Sequence, residues 1–137
     1  MNSKSAIKSN LLILAIGLFV AGFITGVVIN SYTPGFADEL HAQMVERFRS
    51  EFEGIEDAGR IFSKILVHNL SVCAIMTFAG IIFGLPPAFI LLVNGLSLGI
   101  VLARSEKPLW VFIGSILPHG MFELPATFLA GTFGLLL

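Results

Sequence analysis

The chain has 137 residues, of which 55% are hydrophobic and 12% are charged, and its formal net charge is −1. Soluble domains carry about 25% charged residues, so this composition indicates a surface covered by lipid, as in one integral membrane domain. The small net charge argues against nucleic acid as a partner, and the single cysteine, Cys73, excludes an internal disulfide and a cysteine-rich zinc site.

Long apolar segments predict about four transmembrane helices. Each segment has at least the ~17 residues that a helix needs to cross the hydrocarbon, and none shows the alternating polarity of a barrel strand. The first exceeds a signal-peptide core of about 7–15 residues, which favours an uncleaved span. We therefore predict an all-α integral membrane fold with spans at 11–30, 61–85, 87–103 and 109–137.

The segment over 34–58, between the first two spans, is charged and amphipathic. We predict a helix there from about Pro34 to Phe52, which Gly54 and Gly59 end or bend. Thr33 is expected as its N-cap and Pro34 in its first turn. Apolar residues recur every three or four positions at Phe36, Leu40, Met44, Phe48, Phe52 and Ile55, and the other face carries Glu46, Arg47, Arg49, Glu51 and Glu53. The pattern fits either a docking helix for a partner or a helix that caps the protein's own bundle.

The last apolar segment is interrupted by Pro118 and Pro125. Each proline removes a backbone hydrogen bond, so we predict that this span is broken or kinked. Broken backbone inside a membrane survives only where protein or a wet cavity covers it. The chain ends on three leucines without a polar tail, which favours a sequence truncated at its C-terminus.

The flanking charges give two answers on orientation. Lys4 and Lys8 precede the first span, which predicts a cytoplasmic N-terminus for this multi-pass cell-membrane protein. The count over all loops favours the opposite orientation, because the other side would carry Arg47, Arg49, Arg60, Lys64, Arg104 and Lys107. We adopt the first answer, since the first span usually dominates.

Several polar residues fall within the predicted spans, where they need partners. Asn94 lies mid-span, and His119 and Glu123 are four apart, so a continuous helix presents both on one face. An ionised glutamate at that depth is strongly disfavoured without a partner, for which His119, Asn69 and Asn94 are candidates. The cluster can supply interhelical hydrogen bonds, a proton or solute path, or a metal or catalytic site.

The third interpretation has the least support in the sequence. One histidine and one glutamate are fewer than the three or four ligands of a zinc site, and no HExxH or GxSxG motif occurs. We therefore predict no metal, cofactor or catalytic residue, and the sequence leaves open whether the protein is an enzyme.

Glycines spaced four apart form the other pattern. Small residues on one helix face permit close approach, either between helices of one bundle or between copies of the chain. The pattern gives some support to a homo-oligomer, with a dimer favoured. The residues are Gly22, Gly26, Gly80, Gly84, Gly95 and Gly99.

A longer motif then gives a family resemblance. The run Leu-Pro-His-Gly-x-x-Glu-Leu-Pro-Ala over 117–126, with Asn69 and the Asn94-Gly95-x-x-x-Gly99 pattern, resembles the stage II sporulation protein M family from about Ile61 to the end. The resemblance implies a multi-span protein that, in endospore formers, holds together cell-wall-degrading partners during engulfment; relatives also occur in organisms that do not sporulate. The positions that match the motif are Asn69, Asn94, Gly95, Pro118, His119, Gly120, Glu123 and Pro125.

Two functions follow as predictions. The preferred one is a membrane scaffold that assembles with itself or with partner membrane or cell-wall proteins through the amphipathic helix. The alternative is a small homo-oligomeric transporter or channel in which His119 and Glu123 line a path.

Overall fold

The protein folds as a helical bundle in the computed structural model, which describes the backbone of residues 3–137 and the side chains of residues 6–114 and 120–137. No strand occurs in that part of the chain, so the predicted all-α fold is confirmed. The helices are α1 (Ser3–Tyr32), α2 (Pro34–Phe52), α3 (Ala58–Phe78), α4 (Leu85–Arg104) and α5 (Leu109–Leu136), and a 3₁₀ turn (Ala79–Ile81) continues α3.

Three helical stretches within the described residues are long and apolar enough to cross a bilayer: Ala6–Tyr32, Ala58–Ile81 and Leu85–Arg104. α5 contributes a shorter apolar stretch, Gly120–Leu136. Large apolar side chains such as Ile13 and Phe89 are about two-thirds exposed, at 66% and 67%. Because water would not tolerate so much apolar surface, the exterior of the bundle suits lipid.

Local sequence explains where α2 and α3 begin and end. The Asp57 carboxylate accepts a hydrogen bond from the Arg60 N–H at 3.0 Å, which caps the start of α3. Gly54 has φ +74°, a conformation that ends α2 and that glycine adopts without strain. The predicted helix from about Pro34 to Phe52 is therefore confirmed, and it ends before Gly54 as expected.

Two further predictions concern helix ends and breaks. Thr33 lies at the N-cap position of α2 and Pro34 in its first turn, as predicted, but the Thr33 hydroxyl donates to the Ile29 carbonyl at 3.0 Å, at the end of α1, and does not cap α2. The last span is not broken, since α5 is one helix from Leu109 to Leu136. A proline costs a helix one hydrogen bond, and membrane helices tolerate this where neighbouring groups compensate. A bend at Pro118 or Pro125 stays a prediction.

α1 and α4 pack in parallel through glycines. Phe19 lies against Gly95 and Phe23 lies against Gly99, so residue numbers rise together along both helices. A Cβ added at Gly95 would overlap the Phe19 carbonyl oxygen, and one added at Gly22 would overlap the Leu92 carbonyl oxygen. Gly26 is equally close to α4, so four of the predicted packing glycines form one interface inside a single chain.

α3 and α5 form a second parallel pair. Cys73 and Thr127 share a side-chain hydrogen bond, and about two turns further along both helices Gly80 lies against Gly134, where an added Cβ would overlap the backbone. The two pairs meet in a small core of Ala15, Met76, Leu91 and Ala130. The remaining predicted glycine, Gly84, adopts φ +66° in the tight turn between α3 and α4, next to Phe83 with φ +53°.

Cationic side chains hold α2 against the bundle near both of its ends. Arg104, at the end of α4, pairs with Asp38 at 2.7 Å and donates to the Pro34 carbonyl at 2.6 Å. Lys64, in the second turn of α3, donates to the Glu51 carbonyl, and its ammonium lies 5.5 Å from the ring centroid of Phe52. α2 therefore bridges the start of α3 and the end of α4.

Candidate functional site: a polar cavity between the helices

A cavity of about 540 Å³ opens where all five helices approach one another. Its size falls in the range of small-molecule sites, about 300–1,000 Å³. Each helix contributes at least one residue, and α2 contributes three from its last two turns. The lining residues are Phe19, Phe48, Glu51, Phe52, Ile65, His68, Asn69, Val72, Asn94, Leu98, Gly120, Glu123, Leu124 and Thr127.

The cavity brings together the predicted polar residues of three different spans. Asn69 comes from α3, Asn94 from α4, and Gly120 and Glu123 from α5. Because these residues lie far apart in sequence, their common location depends on the parallel packing of α1 with α4 and of α3 with α5.

The other predicted motif residues lie elsewhere. Gly95 is buried in the contact with α1 rather than in the cavity. Pro125 is exposed and does not line the cavity. The predicted roles of the Pro118 and His119 side chains lie outside the described residues.

α2 supplies a part of the site that the sequence interpretation missed. Phe48 and Phe52 of the predicted apolar stripe and Glu51 of the predicted solvent face all line the cavity. Glu51 was placed on the outer face because helical periodicity alone cannot show how the end of α2 tilts toward α3. Thr127 was also missed, and His68, which stands out as a polar residue within an apolar span, was not included in the predicted site.

The charges of the cavity are unbalanced. Among the described residues, its lining includes two carboxylates, Glu51 and Glu123, together with the imidazole of His68, and no lysine or arginine. Among the side chains that the structure describes, none donates a hydrogen bond to Glu123 or forms an ion pair with it. The Lys64 ammonium lies close to two lining residues, since it donates to the Glu51 carbonyl and contacts the Phe52 ring. The cavity thus has capacity to receive a positive group.

A second cavity of about 480 Å³ adjoins the first and is almost wholly apolar. The two share Leu98, Gly120 and Leu124, so they are neighbours along one face of α5. The remaining lining residues of the second cavity come from α1, α4 and α5, and include Phe23, Leu102 and Met121.

Within the described residues, no three His, Cys, Asp or Glu side chains are grouped so as to hold a metal ion. The described lining offers amide, carboxylate, imidazole and aromatic groups, and a cavity of this size can hold a small organic molecule.

Comparison with known families decides where the chain belongs. The sequence profile of stage II sporulation protein M matches residues 15–137, which is nearly the whole chain. This chain belongs to the stage II sporulation protein M family. The match reaches beyond the motif region that starts near Ile61 and includes most of α1 and the whole of α2.

An archaeal protein is similar in sequence to most of this chain. An uncharacterized protein of Methanocaldococcus jannaschii is 28% identical over 126 residues, which cover 90% of this chain and 65% of the relative. The chain thus spans less than two-thirds of the length of this relative. No solved structure matches it. Family membership supports a membrane protein, in agreement with its apolar helices.

Proposed function

We propose that this chain is a multi-span membrane scaffold that assembles with itself or with partner membrane or cell-wall proteins. The observation that carries the proposal is the position of α2. Arg104 and Lys64 hold this helix to the bundle near its two ends, so it offers a fixed surface rather than a loose linker. A surface that is already ordered loses little conformational entropy when a partner binds.

The outward face of α2 has the chemistry of a polar docking surface. Its exposed residues carry both signs of charge, so a partner with complementary charges would be selected and its approach accelerated. Two exposed apolar side chains on the same helix, Phe36 and Val45, are 52% and 45% exposed and add contact area. The charged residues are Glu46, Arg47, Arg49 and Glu53.

A charge reversal tests the docking role. We expect Arg47→Glu with Arg49→Glu to reduce co-purification of membrane-associated cell-wall-degrading enzymes from cross-linked membranes at least about tenfold. Arg60→Glu with Lys107→Glu is the matched control, since it reverses two exposed cations outside α2. Equal recovery of those enzymes with both double variants would remove the docking role.

Self-association needs a surface other than the glycine pairs of α1 and α4. Gly22, Gly26, Gly95 and Gly99 contact one another's helices within a single chain, so they are not available to a second copy. The exposed faces of the helices remain, and chemical cross-linking in native membranes measures whether copies meet there.

The cavity favours a second candidate, a small transporter or channel. Asn69, Asn94 and Glu123 would line the path of a polar solute at mid-depth in the bilayer. We expect Glu123→Gln to change the rate of solute flux into proteoliposomes; identical flux in parent and variant would count against this candidate.

A further inference from the structure

The charge of the first cavity selects for cations. Glu51 and Glu123 bring two carboxylates to its lining, and within the part of the chain that the structure describes no lysine or arginine lines it. In a membrane interior such charge is costly unless a positive group accompanies it. A ligand that carries one positive charge would therefore gain electrostatic energy on entering the cavity.

Aromatic rings at the same site favour an ammonium group over a hydrated metal ion. Phe19, Phe48 and Phe52 all line the cavity. Aromatic faces attract ammonium groups, and cages of such rings recognise quaternary ammonium ligands. The Lys64 ammonium lies 5.5 Å from the Phe52 ring centroid, so one ring of the site already accepts an ammonium group of the protein itself.

The second cavity indicates what the ammonium group is attached to. It is apolar, has a volume of about 480 Å³ and shares Leu98, Gly120 and Leu124 with the first. A polar compartment and an apolar one in contact fit a ligand that has a charged head and a hydrocarbon portion.

We propose that the two cavities together bind an amphiphilic ammonium compound, its ammonium group between Glu51, Glu123 and the phenylalanines and its hydrocarbon portion in the apolar cavity. The ammonium group is either the headgroup of a membrane phospholipid or that of a free amine. Ammonium binding does not depend on the scaffold role. The residues that would contact the ammonium compound line the cavities between the helices, whereas the docking residues lie on the outward face of α2.

The first experiment measures binding of the head alone. Detergent-purified full-length protein is titrated calorimetrically with tetramethylammonium chloride, with sodium chloride as the salt control. We expect Glu123→Gln to weaken binding at least about tenfold, because it removes a charged partner. Glu46→Gln is the matched control on the outward face of α2 and should bind as the parent does.

An aromatic substitution keeps the proposal testable if Glu123→Gln fails to fold. Phe48 is 59% exposed and Phe36, outside the cavity, is 52% exposed, so Phe48→Leu and Phe36→Leu are a matched pair. We expect the first to weaken tetramethylammonium binding about two- to fivefold and the second to leave it unchanged.

The second experiment identifies the source of the ammonium group. Protein is incorporated into vesicles of equal phosphatidylethanolamine and phosphatidylglycerol, extracted, and examined by native mass spectrometry. The Met121→Trp substitution fills the apolar cavity. If the parent retains phosphatidylethanolamine and both Glu123→Gln and Met121→Trp lose it, the site binds a phospholipid. Tetramethylammonium binding without lipid retention assigns it to a free amine. Two results would overturn the proposal. One is the absence of both tetramethylammonium binding above the sodium control and lipid retention. The other is identical binding by the parent, Glu123→Gln and Phe48→Leu.

Discussion

Adding one methyl group at Gly95 should separate two helices that now touch through their backbones. The Cβ of Gly95→Ala would overlap the Phe19 carbonyl oxygen and lie 2.9 Å from the Phe23 nitrogen. Both neighbours are main-chain atoms of α1, so no rotamer change relieves the contact and the helices must move apart. Overpacking of this kind costs about 1–3 kcal/mol, and backbone neighbours place this site toward the upper end.

Gly17→Ala is the control that isolates this cost. No atom lies within 4 Å of the Cβ it would add, although Gly17 lies in the same helix that Gly95 contacts. Both substitutions gain about 1 kcal/mol of helix propensity, so the difference between the two variants reports the overpacking alone. A difference of about 2–3 kcal/mol corresponds to a roughly 30- to 150-fold change in the folding equilibrium.

Denaturant titration of the purified variants in detergent, followed by circular dichroism, measures that difference. We expect Gly95→Ala to unfold at clearly lower denaturant than both the parent and Gly17→Ala. Equal midpoints for the two alanine variants would refute the backbone contact between α1 and α4.

Three further variants test other contacts. Arg104→Met removes the ion pair with Asp38 and the bond to the Pro34 carbonyl, so we expect a loss of about 1–2 kcal/mol and faster proteolysis within α2. Asp57→Ala removes the cap of α3, and its free energy of unfolding should fall by about 1 kcal/mol. Glu123→Gln should keep or raise thermal stability, because the structure describes no partner for this carboxylate and burying it is unfavourable.

Nearby substitutions give the baselines for these measurements. Lys107→Met and Glu56→Ala each remove an exposed charge close to the tested residue and should stay within about 0.5 kcal/mol of the parent. A loss of more than about 1 kcal/mol in Glu123→Gln would instead make this carboxylate a structural partner of another group, and the polar cluster would then act as packing between spans.

Hydropathy and capping residues predicted most of the helical architecture because these signals are local. The uninterrupted apolar segments defined the spans, and Pro34 marked the start of α2. Local signals did not predict which of two helices a side chain would bond to: the Thr33 hydroxyl donates a hydrogen bond to the end of α1 and makes none to the start of α2. They also overstated the effect of proline, since α5 remains one helix through Pro125.

The site could be predicted only in part, because its parts meet through tertiary packing. Asn69, Asn94 and Glu123 were identifiable one by one, since polar residues in apolar spans need partners. The participation of Glu51 depends on how Lys64 holds the end of α2, a contact between residues that no periodicity links. In the same way, glycine spacing predicted close contact but could not name α4 as the partner of α1. On the α5 side, Ala130 and Gly134 carried an equivalent small-residue spacing that went unused.

The parallel pairing of α1 with α4 also sets an order of events during synthesis. The Arg104 side chain, at the end of α4, donates to the Pro34 carbonyl, just after the end of α1, and these two residues are 70 positions apart in the chain. α1 therefore enters the membrane well before its partner has been translated, with its glycine face directed at lipid or at the insertion machinery. Contacts of such long sequence separation form late and slowly. We therefore expect α1 to exchange its contacts with lipid or the insertion machinery for contacts with α4 only after α4 has been synthesised.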